Sequence, residues 1–347
     1  MTRFVELSLA AQTAYAQLLQ NARTQELTRT VATLNGSFSA KSVKGRTYWY
    51  FAYRDVDGRV RQLYVGPDDE RVQRLMERFR NEQVRPLAPL AQSAIALGCT
   101  PAVPRHFRIV RRLSEYGFFH GGGVLIGTHA FLSLGNSLGV QFTDGSRTLD
   151  VDFAHSGRNV SLALPSNIEV DVHGALESLE MGFLPIAELQ GDAGATYLNP
   201  KDPELRLDFL TSSTRSGSKP VNVPNLNVAL QPLKFMEFSL EGTTQAALFS
   251  AEGAVVVNVP AAGRFAVHKL LVYGERKGIH RIKSGKDLLQ AAALIDYLHD
   301  SRREELRQAW DDARSRGPGW RLRLKEGRDA LERLEPAVAA AKTLKLR

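Results

Sequence analysis

A chain of 347 residues, 43% hydrophobic and 24% charged, is ordinary globular material with room for two or three domains. Its single cysteine, Cys99, excludes an intrachain disulfide and a cysteine-based zinc centre, and no apolar run approaches the roughly 20 residues that span a bilayer. Glu6 interrupts what would be the apolar stretch of a signal peptide, so a cytoplasmic protein with no membrane partner is expected, and a formal net charge of +8 favours a polyanion such as nucleic acid.

Residues 4–31 carry Val5, Leu9, Tyr15, Leu18, Leu19 and Leu27 at helical spacing and read as one amphipathic helix. From 34 to 65 the period falls to two, which predicts a small antiparallel sheet of about three strands with a hairpin turn at Asp57-Gly58. Lys44, Arg46 and Arg61 alternate there with Trp49 and Tyr50. Aromatic rings beside cations suit stacking on unpaired bases and neutralising phosphate. The same pattern also describes an aromatic core face with a solvated charged edge. Pro67 opens a charged helix to about Asn81, and Pro86, Pro89, Pro101 and Pro104 mark a linker, with a domain boundary placed at Pro86. A helix is predicted over 105–116. The triple glycine 121–123 lacks the spacing of a dinucleotide fingerprint and lets backbone pass close to a neighbour.

The stretch that organises the chain follows. Val124-Leu125-Ile126 suits a short buried strand, Gly127-Thr128 leads into a helical segment that stops near Gly139, and 149–153 alternates as a second strand. A helix N-terminus just past a strand presents free N–H groups at Gly127, Thr128 and His129 that hold an anion. On the second strand Leu149, Val151 and Phe153 face a core, so Asp150 and Asp152 project together from the other side. Two carboxylates on one face repel in the absence of a cation and make a site for Mg²⁺.

Downstream, a strand is expected at 160–164 and a helix at 171–181. A hairpin at 195–210 follows, whose second strand presents Asp208 as Asp150 and Asp152 are presented. Residues 212–220 read as a basic loop, 226–238 as a helix, and 246–259 as a hairpin turning at Glu252-Gly253. In the apolar helix 264–272, Lys269 needs water, a carboxylate or an anion at its head. Ser284 and Asp287 have the spacing of a capping box opening a core helix. Beyond Asp300 the chain reads as salt-bridged helix broken at 317–319.

The motifs GTHAF, DVDFA and RFAVHKLLVYGERK…KSGKDLLQAAALI resemble the polymerase-β-like nucleotidyltransferase superfamily. Within it they resemble a bacterial family of largely uncharacterised proteins, distantly similar to abortive-infection nucleotidyltransferase toxins. The resemblance covers about residues 34–299 and differs from the usual Gly-Ser turn by having Gly127-Thr128. It implies an α/β (α+β) fold with a mixed sheet, flanked by the N-terminal antiparallel module (1–85) and a helical C-terminal region (261–347), with a nucleotidyltransferase core at 86–260. It also implies an enzyme that transfers a nucleoside monophosphate from NTP, with Mg²⁺ or Mn²⁺ held by Asp150, Asp152 and Asp208. The Thr128 hydroxyl and Lys269, Lys283 and Lys286, with Arg281, would contact the triphosphate, and Asp287 stands as reserve third carboxylate. RNA, tRNA in particular, is the favoured acceptor through Lys44, Arg46, Trp49, Tyr50 and Arg61. A protein acceptor (AMPylation), an antitoxin partner or a chemically idle nucleic-acid-binding regulator are the alternatives.

Overall fold

The computed structural model describes residues 3–32, 36–54, 60–81, 87–143, 148–156, 170–187, 193–213, 219–276 and 284–336. The expected turn at Asp57-Gly58, the strand at 160–164, the boundary at Pro86 and the basic residues Arg281 and Lys283 lie outside them. Among the described residues no helix is long and apolar enough to cross a membrane.

The chain opens with a strand, β1 (Phe4–Glu6), where a helix was expected, because these residues pair with a later edge strand. The helix proper, α1 (Leu9–Ala32), follows and buries Ala11, Tyr15, Leu18 and Ala22. The N-terminal sheet is a meander of β2 (Gly36–Val43), β3 (Arg46–Arg54) and β4 (Val60–Pro67). Lys44 and Gly45 link its first two strands, both with positive φ (50° and 76°), the two-residue turn whose twist matches the strands it joins. Helices α2 (Glu70–Asn81), α3 (Leu87–Ala96) and α4 (Pro104–Glu115) come next. The triple glycine then brings backbone close, as its composition implies: a Cβ on Gly123 would lie 2.3 Å from the Phe118 ring.

The central part runs β5 (Val124–Ile126), α5 (Gly127–Leu138), β6 (Val140–Phe142), β7 (Asp150–Ala154), α6 (Val172–Glu177), β8 (Leu184–Ala187), β9 (Ala193–Asn199), β10 (Asp202–Ser212), β11 (Val221–Val223) and β12 (Val228–Leu233). Residues 226–238 are therefore not one helix; β12 occupies 228–233, followed by the single turn α7 (Met236–Leu240). Val228, Ala229 and Leu230 are all buried, and a short run buried on both faces carries no period that separates strand from helix. The mixed sheet has the order β11-β12-β10-β7-β5, with β10 parallel to both β7 and β12, and the β8–β9 pair joined antiparallel to β10. On one face Val151, Phe153, Leu207 and Phe209 join the main core with α4, α5 and α6, and Phe153 stacks on Phe209 at 5.2 Å.

The hairpin β13 (Thr243–Ser250) and β14 (Gly253–Pro260) turns at Ala251-Glu252, one residue before the expected Glu252-Gly253, and packs against α1 and α3. The apolar helix α8 (Ala262–Glu275) is enclosed by α9 (Gly285–Ser301), α10 (Arg303–Ser315) and α11 (Pro318–Leu334). Arg302, Arg307, Arg316 and Arg323 are ion-paired, with Arg323 bridging α11 to Glu275 at 2.8 Å. The first three are pairs three or four residues apart, the salt-bridged helix the sequence predicts, and the last ties two helices together.

Candidate active site

Alternation along β7 sends Val151 and Phe153 into the core and leaves Asp150 and Asp152 on the opposite face. The parallel register pairs Asp152 with Asp208 and Asp150 with Arg206, so a third carboxylate stands beside the first two on the adjacent strand. Asp208 Oδ1 accepts hydrogen bonds from Thr196 Oγ1 (2.6 Å) and Arg206 Nε (2.9 Å). Burial and then the Asp208 charge push the Asp152 carboxyl up to about 6, with Asp150 adding to the rise and Lys269 and Lys286 opposing it.

The β5–β7 pairing sets Ile126 opposite Asp152, so the helix that starts at the next residue begins beside that carboxylate. Ile126 offers no side-chain cap, which leaves the first N–H groups of α5 for another acceptor. Gly127 has φ +62°, and a Cβ there would lie 2.0 Å from Asp152 Oδ2. Gly127→Ala should therefore lower stability by about 1–2 kcal/mol from the left-handed backbone alone and displace the carboxylate. Thermal unfolding and transfer activity, falling together, would check it.

The Thr128 hydroxyl is buried and accepts from Gln290 Nε2 (3.3 Å), so the turn presents its backbone N–H groups rather than this hydroxyl to an anion. His129 is also buried, its Nε2 3.0 Å from Nδ1 of His106. Burial lowers both imidazoles, to about 3 and about 4, and each further suffers a nearby positive or partly positive group. His106 sits well away in sequence and carried no motif that would have paired it with His129.

Lys269 meets a carboxylate. Its Nζ lies 2.7 Å from Asp287 Oδ1, and Arg276 Nη1 lies 2.5 Å from Asp287 Oδ2. Burial alone would raise the Asp287 carboxyl, but Lys269 and Arg276 outweigh it and hold it below the usual range. The capping-box expectation fails: Ser284 makes no side-chain cap, because a buried aspartate is drawn to the two cations on α8 and beyond rather than to its own helix end. Lys286 is lowered by burial and by Lys269, while Asp152, Asp287 and Asp150 act against that, which sets its ammonium within the field of the same carboxylates. Arg276 was legible only as one cation in a basic run.

The N-terminal sheet is split by its own alternation. Trp49 and Tyr50 face opposite ways, and Trp49 Nε1 donates to Asp68 Oδ1 (3.0 Å), so the two do not form one surface as expected. The aromatic ladder is instead Tyr48, Tyr50 and Tyr64, the first two half-buried and Tyr64 58% exposed and 5.5 Å from Tyr50. Lys41 Nζ stands 4.6 Å from the Tyr50 ring centre. Lys44 and Arg46 are exposed at the hairpin turn, and Arg61 pairs in register with Tyr53.

Among the described residues no group of three or more His, Cys, Asp or Glu side chains is placed to hold a metal ion together. The carboxylates of the site lie among its donors: Asp152 against the start of α5, and Asp287 against Lys269.

The sequence profile of the family described as "Nucleotidyltransferase" matches residues 105–315, and that of a domain of unknown function (DUF6788) matches residues 15–74. Among solved structures, an antigenic nucleotidyltransferase-like protein from Paracoccidioides brasiliensis is similar at 16% identity and a TM-score of 0.30, over 65% of this chain and 95% of that one. Among curated proteins, none matches.

Proposed function

The chain belongs to the nucleotidyltransferase family, and from that premise we propose that it transfers a nucleoside monophosphate from an NTP to a hydroxyl acceptor, RNA and in particular tRNA. One observation carries the reading: the uncapped start of α5 at Gly127 lies against Asp152, and that same carboxylate feels Asp208, Lys269, Asp150 and Lys286. A phosphate chain would meet the N–H and ammonium groups of such a place, and a cation its carboxylates.

The N–H groups at 127–129 bind phosphate oxygens, and Lys269 and Lys286 offset the triphosphate as point charges. Asp150 and Asp152 hold the cation. Asp208, whose Oδ1 already holds Thr196 and Arg206, uses Oδ2 for the cation or for the acceptor's proton. Asp287 anchors Lys269 and Arg276 and is not the third ligand in this reading. Oxygen donors in an open array fit Mg²⁺, or Mn²⁺ in its place, because such an ion takes one or two protein carboxylates and leaves other positions to water and substrate phosphates. When bound, the ion acidifies the acceptor hydroxyl and neutralises the triphosphate.

The acceptor would lie along the tyrosine ladder of the N-terminal sheet. Tyr48→Ala, Tyr64→Ala and Lys44→Ala together should weaken binding of single-stranded RNA by about 1–3 kcal/mol per base unstacked. The salt dependence should flatten by about 0.7 in log–log slope for the one cation removed. NTP affinity should hold, as filter binding at several salt concentrations would read out. Trp49→Ala should instead loosen the strand from Asp68.

The direct test is incubation with Mg²⁺, total RNA and each α-labelled NTP, reading label on RNA and on protein in one gel. Label on RNA supports the proposal. Label on protein moves the acceptor to a protein hydroxyl, and no label with no Mg²⁺-dependent NTP binding leaves an idle fold. Growth arrest on expression, absent when Asp150 and Asp152 are replaced, would support the toxin-like role and justify a search for an antitoxin.

A further inference from the structure

A cleft leads inward from the candidate active site. Charged Asp152, Lys234, Lys269, Arg276 and Asp287 line it together with apolar residues, of which Ile126, Met236 and Phe265 are buried and form its inner walls. The sheet explains the change of character: the face that carries Asp152 and Asp208 continues, two residues along each strand, into Ala154 and Leu210, which pack in a small cluster with Ile126 and Met236. Two polar groups interrupt these walls. His268 and Ser239 both line the cleft, and the buried Nε2 of the one and Oγ of the other have no hydrogen-bond partner among the described residues.

Buried polar groups in native structures are nearly always paired, and each exception asks for an explanation. His268 cannot answer by charging, because burial and then the adjacent Lys269 hold its imidazole at about 3, so it offers one N–H and one lone pair in the neutral form. Ser239 can donate and accept. The backbone ahead of Ser239 is strained: Phe235, a bulky residue, sits at φ 67° where α7 begins, and such outliers collect at functional sites.

We infer that the inner, apolar end of this cleft receives the nucleobase of the incoming NTP, and that His268 and Ser239 read its hydrogen-bonding edge. The inference rests on the nucleotidyltransferase reading and adds the residues that choose the base. A planar base fits between apolar walls, its triphosphate extends outward to Lys269 and the start of α5, and the two unpaired groups gain partners when the correct base enters. The wrong base leaves at least one of them buried and unmatched, which is how a polar pocket discriminates more sharply than an apolar one.

The test is equilibrium binding of ATP, GTP, CTP, UTP and inorganic triphosphate to the full chain in Mg²⁺, for wild type, His268→Ala, His268→Gln and Ser239→Ala. The wild type should prefer one base by about tenfold or more, the equivalent of one good hydrogen bond. His268→Ala and Ser239→Ala should each shrink that preference while inorganic triphosphate binds as before, and His268→Gln should keep part of it. Retained triphosphate binding also certifies that the variants are folded. A wild type that takes all four bases alike, or variants that keep the preference, overturns the inference and leaves the transferase reading standing. Loss of triphosphate binding in both His268 variants also overturns it, since His268 would then be supporting α8 as a whole. Failure of wild type to bind any nucleotide or triphosphate removes both readings.

Discussion

A chain carrying Asp150→Ala and Asp152→Ala should lose nucleotide transfer by roughly 10³-fold or more, several kcal/mol of transition-state stabilisation at about 1.4 kcal/mol per decade. In metal-free buffer it should nevertheless unfold no more easily than wild type. The reason lies in Asp152, whose carboxyl is raised to about 6 from 3.8 by burial and by Asp208. A raised folded-state value means the folded form holds its proton more tightly. The associated stability is therefore complete below pH 4 and is lost as pH rises through 6. At about 1.36 kcal/mol per unit this cost reaches at most about 3 kcal/mol above pH 7, less where water screens the partly buried group. The alanine pair escapes it, so its stability relative to wild type should climb between pH 4 and 6 and level off above. Added Mg²⁺ should reverse the order by stabilising only the wild type. Denaturant midpoints at pH 4, 6 and 8, with and without Mg²⁺, read all of this. A double variant that still transfers nucleotide would place the chemistry elsewhere.

What could be read ahead of the structure was whatever lies within one element. The alternation 149–153 put Asp150 and Asp152 on one face, and β7 keeps them there. Asp208 could be given the same facing but not its neighbour, because strand pairing is a long-range choice; the parallel register with Asp152 supplies it. Asp287 shows local grammar losing to tertiary contact. Its spacing from Ser284 suits a cap worth about 1 kcal/mol, yet two cations 18 and 11 residues back in the chain claim both its oxygens. Trp49 and Tyr50 misled for a simpler reason: adjacent strand residues cannot share a face. Residues 226–238 misled because a run buried on both sides has no period to read. His268 and Ser239 carried no signal at all, since an unpaired buried atom exists only once its surroundings are known.

Asp287→Ala should be the most damaging single change, lowering stability by about 3–5 kcal/mol, the usual cost of stripping one partner from a buried ion pair. Both Lys269 and Arg276 would face each other with no anion between them. Lys269→Met should cost less stability, because Arg276 still holds Asp287, yet it should weaken triphosphate binding by tenfold or more, about 1.4 kcal/mol, if Lys269 is the group that meets the phosphates. The double variant Lys269→Met with Asp287→Leu separates structure from chemistry: replacing buried ions by packed apolar groups is often neutral and Arg276, 38% exposed, is left to water, so stability should return part of the way to wild type while transfer stays lost. The pH dependence has the opposite sign to that of Asp152. Asp287 is held below its ordinary range, so its contribution is present near neutrality and is lost as pH falls into the acid range, and the double variant should lack that part of the acid unfolding. Recovery of both stability and transfer in the double variant would show that neither charge is needed for catalysis. Recovery of stability alone would leave Lys269 as the phosphate contact and Asp287 as the residue that makes a buried lysine tolerable until the nucleotide arrives.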